Sequence, residues 1–165
     1  MLTRITTIVI FLTALIPAAG FALTGAWPLA LPCVALGALW LIGFARRLEG
    51  LGSFMLVAFI VAAGVGVNLS QSAIWAPPTV VLALAAWDLE RFGARLRLAD
   101  ASQETRELER RHLWRLLAVS GLSLALAWAA LGSRLKLDMA VALGLGFLAI
   151  LGLSQVIRSL ARESD

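Results

Sequence analysis

Apolar residues in this chain gather into long runs instead of alternating with polar ones. Six can be marked: Ile5 to Ala26, Pro28 to Ala45, Leu51 to Leu69, Ala73 to Trp87, Leu113 to Gly132 and Met139 to Ile157. A period of two would mark half-buried strands and a narrow stripe would mark helices facing water, and neither organises these runs. A helix needs about 20 consecutive apolar residues to cross a hydrocarbon core about 30 Å thick. The pattern therefore predicts an all-α fold, a polytopic membrane protein forming a compact bundle of six transmembrane helices. The expected spans are about 5–26, 28–45, 51–69, 73–88, 113–132 and 139–157, within one domain over residues 1–165. The first is read as an uncleaved span: its apolar core exceeds the roughly 7 to 15 residues of a signal peptide, although Arg4 precedes it and Thr24 to Ala26 resembles a cleavage site.

From Asp88 onward the fourth run passes into charged helix without a proline or a turn cluster. Leu89, Phe92, Leu96 and Ala99 keep spacings of three, four and three, the seam of a helix that packs on one neighbour. Asp100 and Gln103 offer a capping box, which places a turn near Ala101. Residues 89–112 are accordingly expected to form a cytoplasmic helical hairpin between helices 4 and 5. With a turn there, antiparallel partners have numbers summing to about 202, which sets Asp88 near Trp114 and Arg115, Glu90 near His112 and Arg95 near Glu107.

Composition strengthens the membrane reading. At 61% hydrophobic and 15% charged, with a mean hydropathy of +0.91, the chain lacks the polar residues that a water-facing surface requires. A sequence pI near 11.0 would suggest nucleic acid as a partner, but the net charge is only +4 and the basic residues lie between or beside the apolar runs. Twelve of the 14 lysines and arginines fall on alternate connections, leaving Arg134 and Lys136 on the others. The positive-inside rule then places both termini and the connection after Asp88 in the cytoplasm of a multi-pass protein of the plasma membrane, the inner membrane of a bacterium. Under this topology Trp27, Trp75 and Trp128 lie toward the outer interface and Trp40, Trp87 and Trp114 toward the inner one, as anchors between lipid and headgroup.

Small residues recur at every fourth position: Ala14, Ala18, Ala22 and Ala26; Ala58, Ala62 and Gly66; Gly121, Ala125 and Ala129. This spacing keeps them on one helical face and lets backbones approach closely, which is how helices associate in lipid. A tight bundle is expected, not a hollow one.

Candidate chemistry is sparse. Cys33 is the only cysteine and His112 the only histidine, so the chain holds no internal disulfide and no Cys/His zinc set, and Cys33 reads as a compact packing residue. There is no glycine-rich phosphate loop, no nucleophile elbow and no pair of facing carboxylates within a span. No catalytic, cofactor or metal residue is nominated. Asp88 is the one acid near membrane depth, and the expectation is a structural ion pair with Arg115, with Arg91 one turn ahead on the same helix. From Asp88 to Arg115 seven arginines face six acids, too balanced a charge to grip phosphate or anionic lipid by charge alone.

The expected function is that of a noncatalytic accessory subunit, assembly factor or scaffold, embedded in the lipid bilayer and using the hairpin to contact a membrane or cytoplasmic protein partner, with no nucleic acid involved. The alternative is a small-solute transporter or a membrane component of one, with its polar residues at Asn68, Gln71, Thr79 and Asp88. A polar cavity at mid-depth would favour transport, and a middle closed by apolar packing would favour the accessory role.

Overall fold

Glycine and proline set the limits of the helices. The computed structural model describes residues 2–48, 50–68, 73–98 and 103–132, and 95% of them are helical, as suits a backbone that must satisfy its polar groups without water. α1 is Leu2–Leu23, α2 Trp27–Arg46, α3 Leu51–Asn68, α4 Ala76–Leu98 and α5 Gln103–Gly132, and a 3-10 turn at Ala73–Trp75 leads into α4. Gly25, at φ 79°, turns the chain between α1 and α2. Pro28 then enters the first turn of α2, and Pro77 and Pro78 that of α4, where a missing amide donor costs nothing. α2 closes in a Schellman arrangement, Leu48 N–H donating to Gly43 O at 3.0 Å and Arg47 N–H to Phe44 O at 3.2 Å. Arg47 thereby takes a left-handed conformation, φ 57°, that usually falls to glycine.

Among the described residues, α1, α2, α3 and the Glu107–Gly132 part of α5 are long and apolar enough to cross a membrane. Even the shortest, α3 with 18 residues, reaches about 27 Å at 1.5 Å per residue. α4 falls short of that composition because Asp88, Glu90 and Arg91 lie in its second half. Its position compensates: α4 packs against α1, α3 and α5, and Thr79, Ala83, Ala85, Ala86 and Leu89 are buried. Protein thus covers much of residues 85–89.

Ile10, Trp40, Met55 and Phe59 form the centre with Ala83 and Ala86, all of them at 0% exposure. Trp40 and Phe59 meet with ring centroids 5.8 Å apart. A second cluster, Ala18, Phe21, Ala30 and Cys33, closes the far end between α1 and α2. Close backbone approach is visible at Gly37, where an added Cβ would collide with the Cβ of Ala14. The small residues of α5 behave differently: Gly121, Ala125 and Ala129 are exposed, and no residue in the apolar window of α5 is buried among the described residues.

Two further expectations change. The described residues form five α-helices, not six, and the run Met139 to Ile157 lies outside them, as do residues 99–102 with the proposed turn. The hairpin of two short helices is not formed as such: α4 runs unbroken to Leu98, and α5 is continuous from Gln103 through the apolar run. The physical reason is plain in residues 85–98 and 103–115, which contain neither proline nor a turn cluster, so nothing stops the ladder of main-chain hydrogen bonds where the charges begin.

Gly37→Ala is expected to lower stability by about 1 to 3 kcal/mol through overpacking against Ala14. Gly64→Ala, whose Cβ would enter open space, should be neutral or gain up to about 1 kcal/mol from helix propensity. Thermal unfolding in mild detergent compares the two directly.

Candidate functional site at the charged end of the bundle

The charged side chains at the ends of α1, α2 and α4 gather at one end of the bundle. The start of α1 with Arg4, the end of α2 with Arg46 and Arg47, and the charged half of α4 meet there, Leu2, Thr3, Phe44, Leu89 and Gly93 bordering a common recess. Beside it lies a half-open cavity of about 390 Å³ between the α2–α3 turn and α4. Arg47, Ser53, Trp87, Glu90 and Arg91 supply its functional groups, and Phe44, Leu48 and Ala94 supply apolar wall.

Each group is held by its neighbours. Trp40 is fully buried, and its Nε1–H donates to Glu90 Oε2 at 2.9 Å, tying α2 to α4. Trp87 Nε1–H donates to Ser53 Oγ at 3.0 Å, tying α4 to the first turn of α3. The hydroxyl of Ser53 accepts in that bond and so keeps its own proton to give. The Arg91 guanidinium lies over the Trp87 ring, 4.4 Å from the centroid. A side chain at Gly52 would run into the Glu90 carboxylate, so the glycine is what lets α3 approach α4 here. Glu90 and Arg91 are consecutive on a helix and point about 100° apart, which keeps them from neutralising each other. Among the described residues neither Arg47 nor Arg91 has a carboxylate within ion-pair distance.

Asp88 lies on the neighbouring seam, between α4 and α5. The expected pairing with Arg115 is not formed: Arg115 is exposed, and His112 Nε2 lies 2.8 Å from Asp88 Oδ2. The ring N–H is not aligned on that oxygen, so the contact is an electrostatic apposition and not a linear hydrogen bond. The His112 ring is stacked on Phe92, with centroids 3.9 Å apart and planes 9° apart. One ring thus meets residues 88 and 92, giving partner sums of 200 and 204 around the anticipated 202. Glu90 faces Trp40 and not His112, and Glu107 pairs with Arg110 and Arg111 on its own helix at 3.0 and 3.2 Å, so the expected Glu90–His112 and Arg95–Glu107 contacts are absent among the described residues.

The four polar residues considered for transport do not come together. Asn68 is exposed at the end of α3, Thr79 is buried with its hydroxyl donating to Trp75 O at 2.8 Å, Asp88 belongs to the α4–α5 seam, and Gln71 lies outside the described residues. The tryptophans also divide. Trp27, Trp114 and Trp128 are exposed, Trp75 and Trp87 are half-buried, and Trp40 departs from an interface belt altogether because it sits in the core. A larger cleft, about 730 Å³ between α1, α4 and α5, is walled by apolar residues such as Val9, Leu82 and Leu116 and carries little to do chemistry with. Among the described residues no three His, Cys, Asp or Glu side chains gather as a metal site.

Nothing in the sequence sets Glu90, Ser53 and Trp40 together, and Arg47 carries the same topological mark as Arg46. One signal is present: an indole N–H within an apolar run needs an acceptor, and Glu90 follows two residues after Asp88, the acid near membrane depth. Comparison with protein-family models, curated proteins and solved structures gives no match.

Glu90→Ala is expected to cost about 1 to 3 kcal/mol by leaving the Trp40 N–H buried without an acceptor, whereas Glu90→Gln retains an acceptor oxygen and should cost less. Arg47→Gly should leave stability unchanged or raise it by up to about 1 kcal/mol, because glycine takes the left-handed conformation without penalty. For Asp88 and His112, 41% and 25% exposed, a double-mutant cycle with Asp88→Asn and His112→Gln should give a coupling of no more than about 1 kcal/mol. The same cycle with Arg115→Ala should give none.

Proposed function

We propose that the chain is a noncatalytic integral membrane protein, acting as an accessory subunit, assembly factor or scaffold. The observation that carries this reading is the middle of the bundle: Ile10, Trp40, Met55 and Phe59 fill it with Ala83 and Ala86, and the polar groups of the candidate site lie toward one end. A solute path needs polar groups at mid-depth and broken helices. A closed apolar centre with a charged, water-accessible end suits a protein whose work is contact.

The contact surface in this reading is the charged half of α4 with the first half of α5, continuing onto the apolar face of α5. Leu108, Leu122 and Leu126 share one side of α5 and are more than half exposed, and Glu107, Arg110 and Arg111 are exposed beside them. The small residues Gly121, Ala125 and Ala129 offer a partner helix close approach on the same element. The protein is placed in the plasma membrane of a bacterium as a multi-pass protein, with the arginine-rich end of the bundle in the cytoplasm by the positive-inside rule.

Photo-crosslinking side chains at positions 108 and 122, followed by purification in mild detergent, test the contact. The expected outcome is one stoichiometric protein captured from both positions. Recovery of the chain alone, carrying a bound small solute, would overturn the reading in favour of transport. Orientation is tested separately with Ser102→Cys in a Cys33→Ala background: a membrane-impermeant thiol reagent applied to intact cells should leave position 102 unlabelled, and labelling would reverse the topology.

A further inference from the structure

We propose that the cavity between the α2–α3 turn and α4 is a binding site for the phosphoethanolamine headgroup of a membrane lipid. The inference does not depend on the accessory role and requires only that the bundle is embedded in a bilayer. It rests on the cavity's separated charges. Arg47 and Arg91 both line it, with no carboxylate in ion-pair distance of either guanidinium among the described residues, and Ser53 has a hydroxyl proton to donate. Guanidinium forks match phosphate oxygens in geometry and charge. Glu90 supplies the opposite sign in the same cavity, held by the Trp40 N–H on Oε2 and turned away from Arg91 by its place on the helix.

An anion alone would leave the Glu90 carboxylate facing a negative charge, and a cation alone would face two guanidinium groups. A zwitterion answers both, its phosphate on the arginines and its ammonium on Glu90. The cation is a primary ammonium and not a quaternary one, for a reason visible in the aromatic rings. Trimethylammonium groups have no N–H and are recognised by open aromatic faces. Here the Trp87 face is covered by the Arg91 guanidinium, and Trp40 is buried against Phe59. A carboxylate acceptor without an aromatic cage selects N–H donors.

The location selects a lipid over a free metabolite. The cavity opens at the end of the bundle where α2 finishes and α3 begins, both of them helices apolar enough to cross a membrane, and Phe44, Leu48 and Ala94 continue its wall as apolar surface. Headgroup chemistry at the limits of two spans, with apolar wall adjoining, fits a molecule carrying a zwitterion on hydrocarbon.

Native mass spectrometry of the full chain in mild detergent tests this by titration with phosphatidylethanolamine, phosphatidylcholine and phosphatidylglycerol of matched acyl chains. The unmodified protein should bind phosphatidylethanolamine about tenfold tighter than phosphatidylcholine, a factor corresponding to about 1.4 kcal/mol. Glu90→Gln should abolish that preference, because it removes the carboxylate and keeps an acceptor for Trp40. Arg47→Gly, which suits the local backbone, and Arg91→Gln should each weaken binding of all three lipids. Equal affinity for phosphatidylethanolamine and phosphatidylcholine in the unmodified protein overturns the proposal without recourse to any variant. Tightest binding of phosphatidylglycerol replaces it with a simple anion site. If soluble phosphoethanolamine saturates the protein while the lipid does not bind, the lipid assignment is wrong.

Discussion

An indole N–H buried inside a helix bundle has no water to turn to, and the Trp40–Glu90 hydrogen bond is where this fold meets that constraint. Trp40 is fully buried, so its donor must be satisfied by protein, and Glu90 reaches it across the gap from α4 to α2. The acid in turn gains a donor that reduces the cost of holding it near hydrocarbon. Because α4 is too polar in its second half to stand in lipid on all sides, this bond and the Trp87–Ser53 bond bear on the whole arrangement. They fasten α4 to α2 and α3, while Ala83 and Ala86 let neighbouring helices close around it.

Close approach and polar pairing depend on each other. At Gly52 the absent side chain makes room for the Glu90 carboxylate, and at Gly37 it makes room for Ala14. A methyl group at Gly52 would displace the acid on which the Trp40 donor relies, so a packing change there becomes a hydrogen-bonding change one helix away. Dispersion gathered over many close contacts is weak per atom and strong in sum, and in lipid it replaces the hydrophobic force that draws soluble helices together. The small residues of α1 and α2 serve that packing, whereas those of α5 are left exposed among the described residues.

The helices were legible in the sequence because membrane thickness and backbone satisfaction leave few choices. The runs beginning near Ile5, Pro28, Leu51 and Leu113 each correspond to a helix, with boundaries near Gly25, Gly50 and Pro77 where turns and first-turn prolines place them. The role of α4 was not legible, since hydropathy records what a segment tolerates and not what surrounds it. A short, partly charged run reads as a marginal span ending at the membrane edge, and only the packing of α1, α3 and α5 around it shows an inner helix. Antiparallel numbering located the level at which α4 and α5 meet, yet it could not choose between neighbours one turn apart. His112 and Arg115 are both basic candidates for Asp88, and the choice falls to the ring that can also stack on Phe92.

The candidate cavity was hidden from sequence for a different reason: its groups come from three elements and its shape from a turn. Arg46 and Arg47 read alike as markers of the cytoplasmic side, and the distinction between them is made by the backbone. The Schellman closure of α2 puts the second arginine in a left-handed conformation at the cavity wall. A residue other than glycine at such a position costs about 1 kcal/mol or more, a cost with no visible return in packing, because Arg47 is exposed. Arg47 borders the same space as Arg91, Ser53 and Glu90, and that shared position is where the proposed headgroup site would put the costly residue to use. The apolar centre of the bundle explains why such a site lies at the end. Separated charges are expensive at mid-depth, while near the headgroups water and lipid phosphate share in solvating them.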